Sequence, residues 1–238
     1  MINRFFGTVL PADSERDSRS RRTRIRVLTV LVATLATSAC SRSDASAPSA
    51  AAGSASCSEV EVVFARGTNQ PPGLGRVGEA FLRSVRTGTP GRRVSSYAVD
   101  YPANSHQDFA PGTNDLTRHI IAVAAACPAT RFVLGGYSQG AVVVAAAIGI
   151  PVNGPPSDVL PSTLTTRVAA VVAFGNPLGS GGRTIDTVNT AFRAQSADYC
   201  ASEDPGCGHR GPFVGSHRSY PDNGATDAAA AFAIGRLR

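Results

Sequence analysis

The chain of 238 residues has no lysine, and all 23 of its basic side chains are arginines. Such a one-sided choice points to compositional bias in the coding sequence and carries little about partners. Tryptophan is also absent and aromatics make up 6% of the chain, against 42% hydrophobic residues overall. A core therefore has to be built from Ala, Val, Leu and Ile, as in a domain whose sheet is covered by helices. A bilayer-crossing helix is missing too. The apolar run VLTVLVATLATSA, Val27 to Ala39, is 13 residues long, whereas a core of about 30 Å needs about 20. There is no internal repeat, and the length suits one substantial domain with appendages.

What charge there is lies at the front. Residues 1–40 hold seven arginines against Asp13, Glu15 and Asp17, a local +4 out of a formal net +6. The remaining +2 is too balanced to argue for a nucleic-acid partner. The basic segment SRRTRIR, Ser20 to Arg26, followed by the 13-residue apolar run, reads as a secretory signal. Its Ser-Ala-Cys ending at Cys40 resembles the lipobox of bacterial lipoproteins, with Thr37 where that motif prefers Leu. Lipidation of Cys40 with membrane attachment, cleavage nearer Ala50 to Ser56, and loss of Cys40 with the signal all stay open. Arg24 and Arg26 stand where a twin-arginine signal is apolar, which argues against that route. The expected division is a signal over 1–40, a small-residue flexible linker over 41–56, and a folded domain over 57–238. Four cysteines follow the linker, Cys57, Cys127, Cys200 and Cys207, an even number that favours two disulfides in an exported chain.

From Cys57 onward short β-branched runs alternate with Ala-rich helical stretches. Glu59 to Ala65, Arg93 to Ala103, Arg131 to Tyr137 and Thr166 to Pro177 read as strands. Gly75 to Arg86, Gly112 to Cys127 with Thr113 or Asn114 as N-cap, Ala141 to Ile150, and Asn223 to Leu237 read as helices. The alternation implies a parallel sheet with helices on both faces and right-handed crossovers.

Gly136-Tyr137-Ser138-Gln139-Gly140 falls where a strand run meets a helix run. In a G-x-S-x-G turn the glycines leave space for backbone that passes close by, and the serine hydroxyl stands out above the sheet. At the helix N-terminus, free backbone N–H groups such as that of Gln139 can hold an oxyanion. A serine needs a base and an orienting carboxylate, expected downstream in that fold. Tyr199 to Tyr220 supplies two of each: Glu203 and Asp204, His209 and His217. Residue chemistry alone leaves both choices open. His106 and His119 precede the serine and are expected at the surface.

Four features together resemble the cutinase family of serine esterases: the ARGT turn at Ala65 to Thr68, the GYSQG elbow, the Cys200-x-x-x-Asp204-x-x-Cys207 loop, and His217-x-x-Tyr220. The resemblance runs from about Cys57 to the C-terminus. It implies an α/β-hydrolase, a three-layer α/β/α sandwich with a central, mostly parallel sheet of about five strands and no lid. It selects Asp204 and His217 as partners of Ser138, and it assigns the oxyanion hole to Thr68 with the backbone of Gln139. It pairs Cys57 with Cys127 and Cys200 with Cys207, the second bond closing a short loop around Asp204. It places the apolar loop of Pro212, Phe213 and Val214 against acyl chains. The implied partner is an ester, polyester or lipid substrate, met by an exported monomer without cofactor. A zinc site at Cys200, Cys207 and His209 is the rival reading, weakened by the lack of a C-x-x-C pair. The reaction expected is ester hydrolysis through an acyl-enzyme, with lipid or thioester hydrolysis at the cell envelope as the alternative and noncatalytic lipid binding as a third reading.

Overall fold

The structure, a computed structural model, describes residues 57–154 and 157–237. The expected signal over 1–40, Cys40 and the linker over 41–56 lie outside the described residues. Five strands, β1 (Val60–Ala65), β2 (Val94–Ala98), β3 (Arg131–Tyr137), β4 (Val168–Phe174) and β5 (Ser196–Tyr199), form one sheet in the order β2-β1-β3-β4-β5. Every pairing is parallel. The helices are α1 (Gly75–Gly88), α2 (Ala110–Ala126), α3 (Gln139–Ala147), α4 (Ile185–Val188) and α5 (Ala225–Ile234).

Strands β1 and β4 are buried along their whole length, because both faces of the sheet are covered. Phe64 of β1 packs with Val77, Phe81 and Val85 of α1 and with Ala225, Ala229 and Ala233 of α5. Val63 and Ala65, one pleat away, pack with Leu116 and Ile120 of α2 and Val143 and Val144 of α3. Small residues let the layers approach: alanine dominates α5, so three aromatic rings, Phe64, Phe81 and Phe174, fill the centre beneath it with centroids about 6 Å apart (6.3, 6.3 and 5.9 Å).

Several boundaries differ from the sequence reading. The run expected to stay in a strand to Ala103 leaves the sheet after Ala98. Helix α2 starts at Ala110 with Pro111 in its first turn, so neither Thr113 nor Asn114 caps it. Thr113 instead donates back to the Phe109 carbonyl at 3.0 Å, and Asn114 accepts from Asp158 N–H at 2.7 Å. Edge strand β5, sequence SADY, carried no apolar run to announce it. Disulfides join Cys57 to Cys127 and Cys200 to Cys207, and the second removes the thiolates a zinc ion would need. Among the described residues no helix is long and apolar enough to cross a membrane.

Candidate active site

The carboxyl ends of β1 and β3 lie side by side where the strand order changes direction. The chain leaves β1 towards the α1 face and β3 towards the α3 face, which opens a crevice between them. Ser138 stands at its edge, between β3 and α3, with φ 55° and ψ −118°. This conformation is strained for a residue with a side chain, and the surroundings enforce it. The Ser138 N–H donates to the Phe174 carbonyl at 2.8 Å. A Cβ at Gly136 would meet the Gly140 carbonyl oxygen at 2.3 Å, and one at Gly140 the Ala65 carbonyl oxygen at 2.0 Å. The elbow therefore closes only with glycine at both positions.

Beyond β5 the chain forms the loop closed by Cys200 and Cys207. Asp204 inside it is fully buried. One carboxylate oxygen, Oδ1, accepts from Gly206 N–H at 2.8 Å; the other, Oδ2, lies 2.7 Å from His217 Nδ1 and accepts from the Tyr220 hydroxyl. Burial, reinforced by the hydrogen bond to Asp204, pushes the Tyr220 phenol well above its usual range, so it remains a donor. The Tyr220 oxygen in turn accepts from Ala201 N–H at 3.1 Å. His217 Nε2 is 2.9 Å from Ser138 Oγ. With an acceptor at Nδ1 the imidazole carries its proton there, which leaves the Nε2 lone pair for the serine hydroxyl. Tyr137 steadies the histidine from below: its hydroxyl donates to the His217 carbonyl at 2.7 Å, and the rings lie 5.0 Å apart. Burial raises the Tyr137 phenol to about 12. Gly175, at the end of β4, makes room for the pair, since a Cβ there would meet His217 Cε1 at 2.8 Å and Asp204 Oδ2 at 2.9 Å.

Thr68 sits across the crevice on the turn after β1. Arg66 holds that turn from inside the protein, where it is 3% exposed. Its guanidinium donates to the carbonyls of Gln70 (3.0 Å), Val99 (3.3 Å) and Tyr101 (2.6 Å), and the Tyr101 hydroxyl donates back to the Arg66 carbonyl. The buried charge is thus met by oxygens on three sides. Gln139 opens α3, so its backbone N–H has no acceptor within the helix; its side-chain amide donates to the Asn104 carbonyl at 3.0 Å.

A cleft of about 330 Å³ joins these groups. Thr68, Ser138 and Gln139 line it together with the apolar Phe109, Val142, Val152 and Leu178 and the polar Gln107 and Asn153, and Arg183 is the one charged side chain on its wall among the described residues. Pro212, Phe213 and Val214 do not line it. The chain at Phe213 bridges to Ala201, which turns the Phe213 ring towards Tyr199 at 5.9 Å; Val214 is 75% exposed and Pro212 faces a neighbouring cavity.

Of the sequence alternatives, Glu203 and His209 are exposed, and their backbone N–H groups, donating to Gly215 and Asp204 carbonyls, shape the loop. His119 is not the surface residue expected: 18% exposed, it pairs with Glu61 at 3.1 Å and stacks on Tyr97. Ser138, named from the elbow, and Asp204 and His217, named from the resemblance, lie in one hydrogen-bonded series, and Thr68 lines the same cleft; the sequence reading did not reach the contacts of Arg66, Tyr137, Gly175 and Tyr220. Tyr220 was visible as the last residue of the H-x-x-Y segment, three places after the histidine. Gly175 and Arg66 gave no signal beyond their identity.

The family description Cutinase matches residues 56–237. A cutinase from Kineococcus radiotolerans is 51% identical over 187 residues, covering 78% of this chain and 64% of that protein, so the chain spans just under two thirds of it. Phospholipase Culp4 of Mycobacterium tuberculosis is 43% identical, with 77% of this chain and 81% of that protein covered. Among solved structures, a Trichoderma reesei cutinase in complex with a phosphonate inhibitor is 31% identical, with a TM-score of 0.61 over 76% of this chain and 78% of that one.

Proposed function

Because the chain belongs to the cutinase family, we propose that it hydrolyses carboxylic esters with Ser138 as nucleophile, His217 as base and Asp204 as its orienting partner. The observation that carries this reading is the unbroken series from Asp204 Oδ2 to His217 Nδ1 (2.7 Å) and from His217 Nε2 to Ser138 Oγ (2.9 Å) at the mouth of the cleft. Ser138 attacks the ester carbonyl as its proton passes to Nε2; the imidazolium is stabilised by the buried carboxylate. The oxyanion is held by the Gln139 N–H and the Thr68 hydroxyl, donors in place before the charge develops. His217 then protonates the departing alcohol, and water releases the acid by the same relay. Phe109, Val142, Val152 and Leu178 take the acyl chain, in place of the 212–214 loop.

The substrate is a short or medium acyl ester or a polyester. Phospholipid hydrolysis is the second reading, favoured by the 43% identity to a phospholipase. The basic and apolar segment over 20–39 exports the chain, and the exported protein is lipidated at Cys40, loses Cys40 with the signal, or is cut nearer Ala50 to Ser56. A fluorophosphonate probe tests the chemistry directly: the folded wild-type protein becomes labelled on the peptide that carries Ser138, and Ser138→Ala does not. Equal labelling of the two proteins would sink the assignment.

A further inference from the structure

Arg183 draws attention because the cleft wall holds no carboxylate to neutralise it: among the described residues that line the cleft, it is the one charged group. Its side chain has no ion-pair partner among the described residues. It also lines a second cavity of about 170 Å³, so the residue borders both spaces. Arg210 lines that second cavity as well, and it reaches across to the same place: a side chain at position 182 would meet the Arg210 guanidinium at 3.0 Å. The turn over Pro177–Gly181 packs on the cysteine loop, where a Cβ at Gly179 would meet the Cys207 carbonyl oxygen at 2.6 Å. That packing sets both arginine-bearing segments on the second cavity.

The loop that carries Arg183 is fixed at both ends. Asn176 Nδ2 donates to Asp198 Oδ1 at 2.6 Å, and Ile185 N–H donates to Asp198 Oδ2 at 2.8 Å. The Arg183 N–H itself donates to the Leu178 carbonyl at 3.1 Å. Asp198 is the lone carboxylate lining the second cavity among the described residues. Both of its oxygens are engaged with the loop ends, and burial lifts its pKa to about 6. Two arginines that line one cavity, Arg183 on the braced loop and Arg210 after the cysteine loop, without a carboxylate on the cleft wall, form a site for an oxyanion, because the guanidinium fork matches the paired oxygens of phosphate and carboxylate.

We propose that Arg183, assisted by Arg210, binds a negatively charged group carried by the ester substrate itself. The enzyme is thereby selective for anionic esters. This rests on the ester-hydrolase reading and deepens it. The anion is either the phosphate of a phospholipid or the free carboxylate of a polyester chain end, two sources with one shared chemistry.

Calorimetric titration of the full protein with hexyl phosphate, hexanoate and hexanol separates the sources and needs no turnover. Hexyl phosphate, hexanoate or both bind more tightly than hexanol, and Arg183→Gln weakens the preferred anion about tenfold, the scale of a partly exposed charge-assisted contact. Arg183→Lys, which keeps the charge and loses the fork, falls between. Arg92→Gln, a matched loss of charge ahead of β2 at the opposite end of the sheet, leaves the anion affinity unchanged. In turnover, the ratio of kcat/KM for mono-p-nitrophenyl adipate over p-nitrophenyl hexanoate falls in Arg183→Gln. Anion affinities that change less than twofold in Arg183→Gln, or as much in Arg92→Gln, would overturn the proposal. Wild-type protein that cleaves neither ester would instead overturn the hydrolase reading, while the titration still decides the anion site.

Discussion

Two regions of this molecule hold nearly the same parts. At the carboxyl end of the sheet, His217 lies 2.7 Å from Asp204, beside Tyr137 and Tyr220, with the Cys200–Cys207 bond nearby. Towards the amino end, His119 lies 3.1 Å from Glu61 and stacks on Tyr97 with centroids 3.5 Å apart. The Cys57–Cys127 bond ties β1 to the end of α2 there. Hydroxyls are present too: Ser95 Oγ donates to Ser58 Oγ at 2.7 Å and lies 3.4 Å from Glu61 Oε1. What differs is the order of connection. Near β3 the imidazole sits between the carboxylate and a serine hydroxyl; near β1 the carboxylate sits between the imidazole and a serine hydroxyl. A carboxylate in that position acts only as an acceptor, and Ser95 keeps its proton, donating that O–H to Ser58 Oγ. Residue inventory therefore says little about chemistry until the strand-to-helix turn has placed the hydroxyl on the far side of the base.

The largest test of that contrast is removal of each histidine. His217→Ala lowers kcat for a p-nitrophenyl ester by at least about 10⁴-fold, and adding Ser138→Ala lowers it little further because the groups act as a unit. His119→Ala keeps kcat within about twofold and instead lowers stability by roughly 1–2 kcal/mol, through a lost buried hydrogen bond and ring contact. Steady-state kinetics and urea unfolding on the same preparations read both. If His119→Ala were also inactive while folded, the two regions would not be separate in function.

The carboxylates give the next contrast. Asp204→Asn keeps the shape but offers His217 a donor or a weaker acceptor, which disturbs the tautomer; kcat falls about 10³- to 10⁴-fold. Glu61→Gln costs stability alone, roughly 1–3 kcal/mol. The disulfides give the smallest effect on rate and reverse the order for stability. Their residues are 70 and 7 positions apart, and loop closure gives them about 4 and about 2 kcal/mol respectively. Replacing Cys57 and Cys127 by serine lowers the unfolding free energy more yet leaves kcat within about twofold. Replacing Cys200 and Cys207 lowers it less but drops kcat about tenfold, because Asp204 is no longer confined.

The central part of the fold was readable because its pattern is extreme. RFVLGGY followed by SQGAVVVAAA changes from strand to helix at one serine, and the structure begins α3 at Gln139. The edges were not readable. Strand β5 has four residues and pairs on one side only, so no apolar run marks it. The start of α2 was misplaced because a proline in the first turn did the work expected of a capping hydroxyl. His119 looked exposed because the polar face of a helix in sequence does not reveal that Glu61, on a buried strand, turns towards it. Within the site, chain order pointed to the segment Tyr199 to Tyr220, and choosing Asp204 over Glu203 and His217 over His209 needed the family resemblance. The resemblance placed the acyl chain against Pro212, Phe213 and Val214, whereas the cleft draws Phe109, Val142, Val152 and Leu178 from separate stretches of chain. Such a surface exists only after folding, so no local sequence pattern could name it.

Ser138 and His217 are 79 residues apart, and the histidine comes after all five strands in chain order. During synthesis the elbow is made long before the base. A chain that holds β1, β2 and β3 alone has the elbow but neither Asp204 nor His217. On the proposed triad, ester turnover therefore needs the elbow and the distant loop of Asp204 and His217 docked together, so a chromogenic assay reads their assembly and not either part alone.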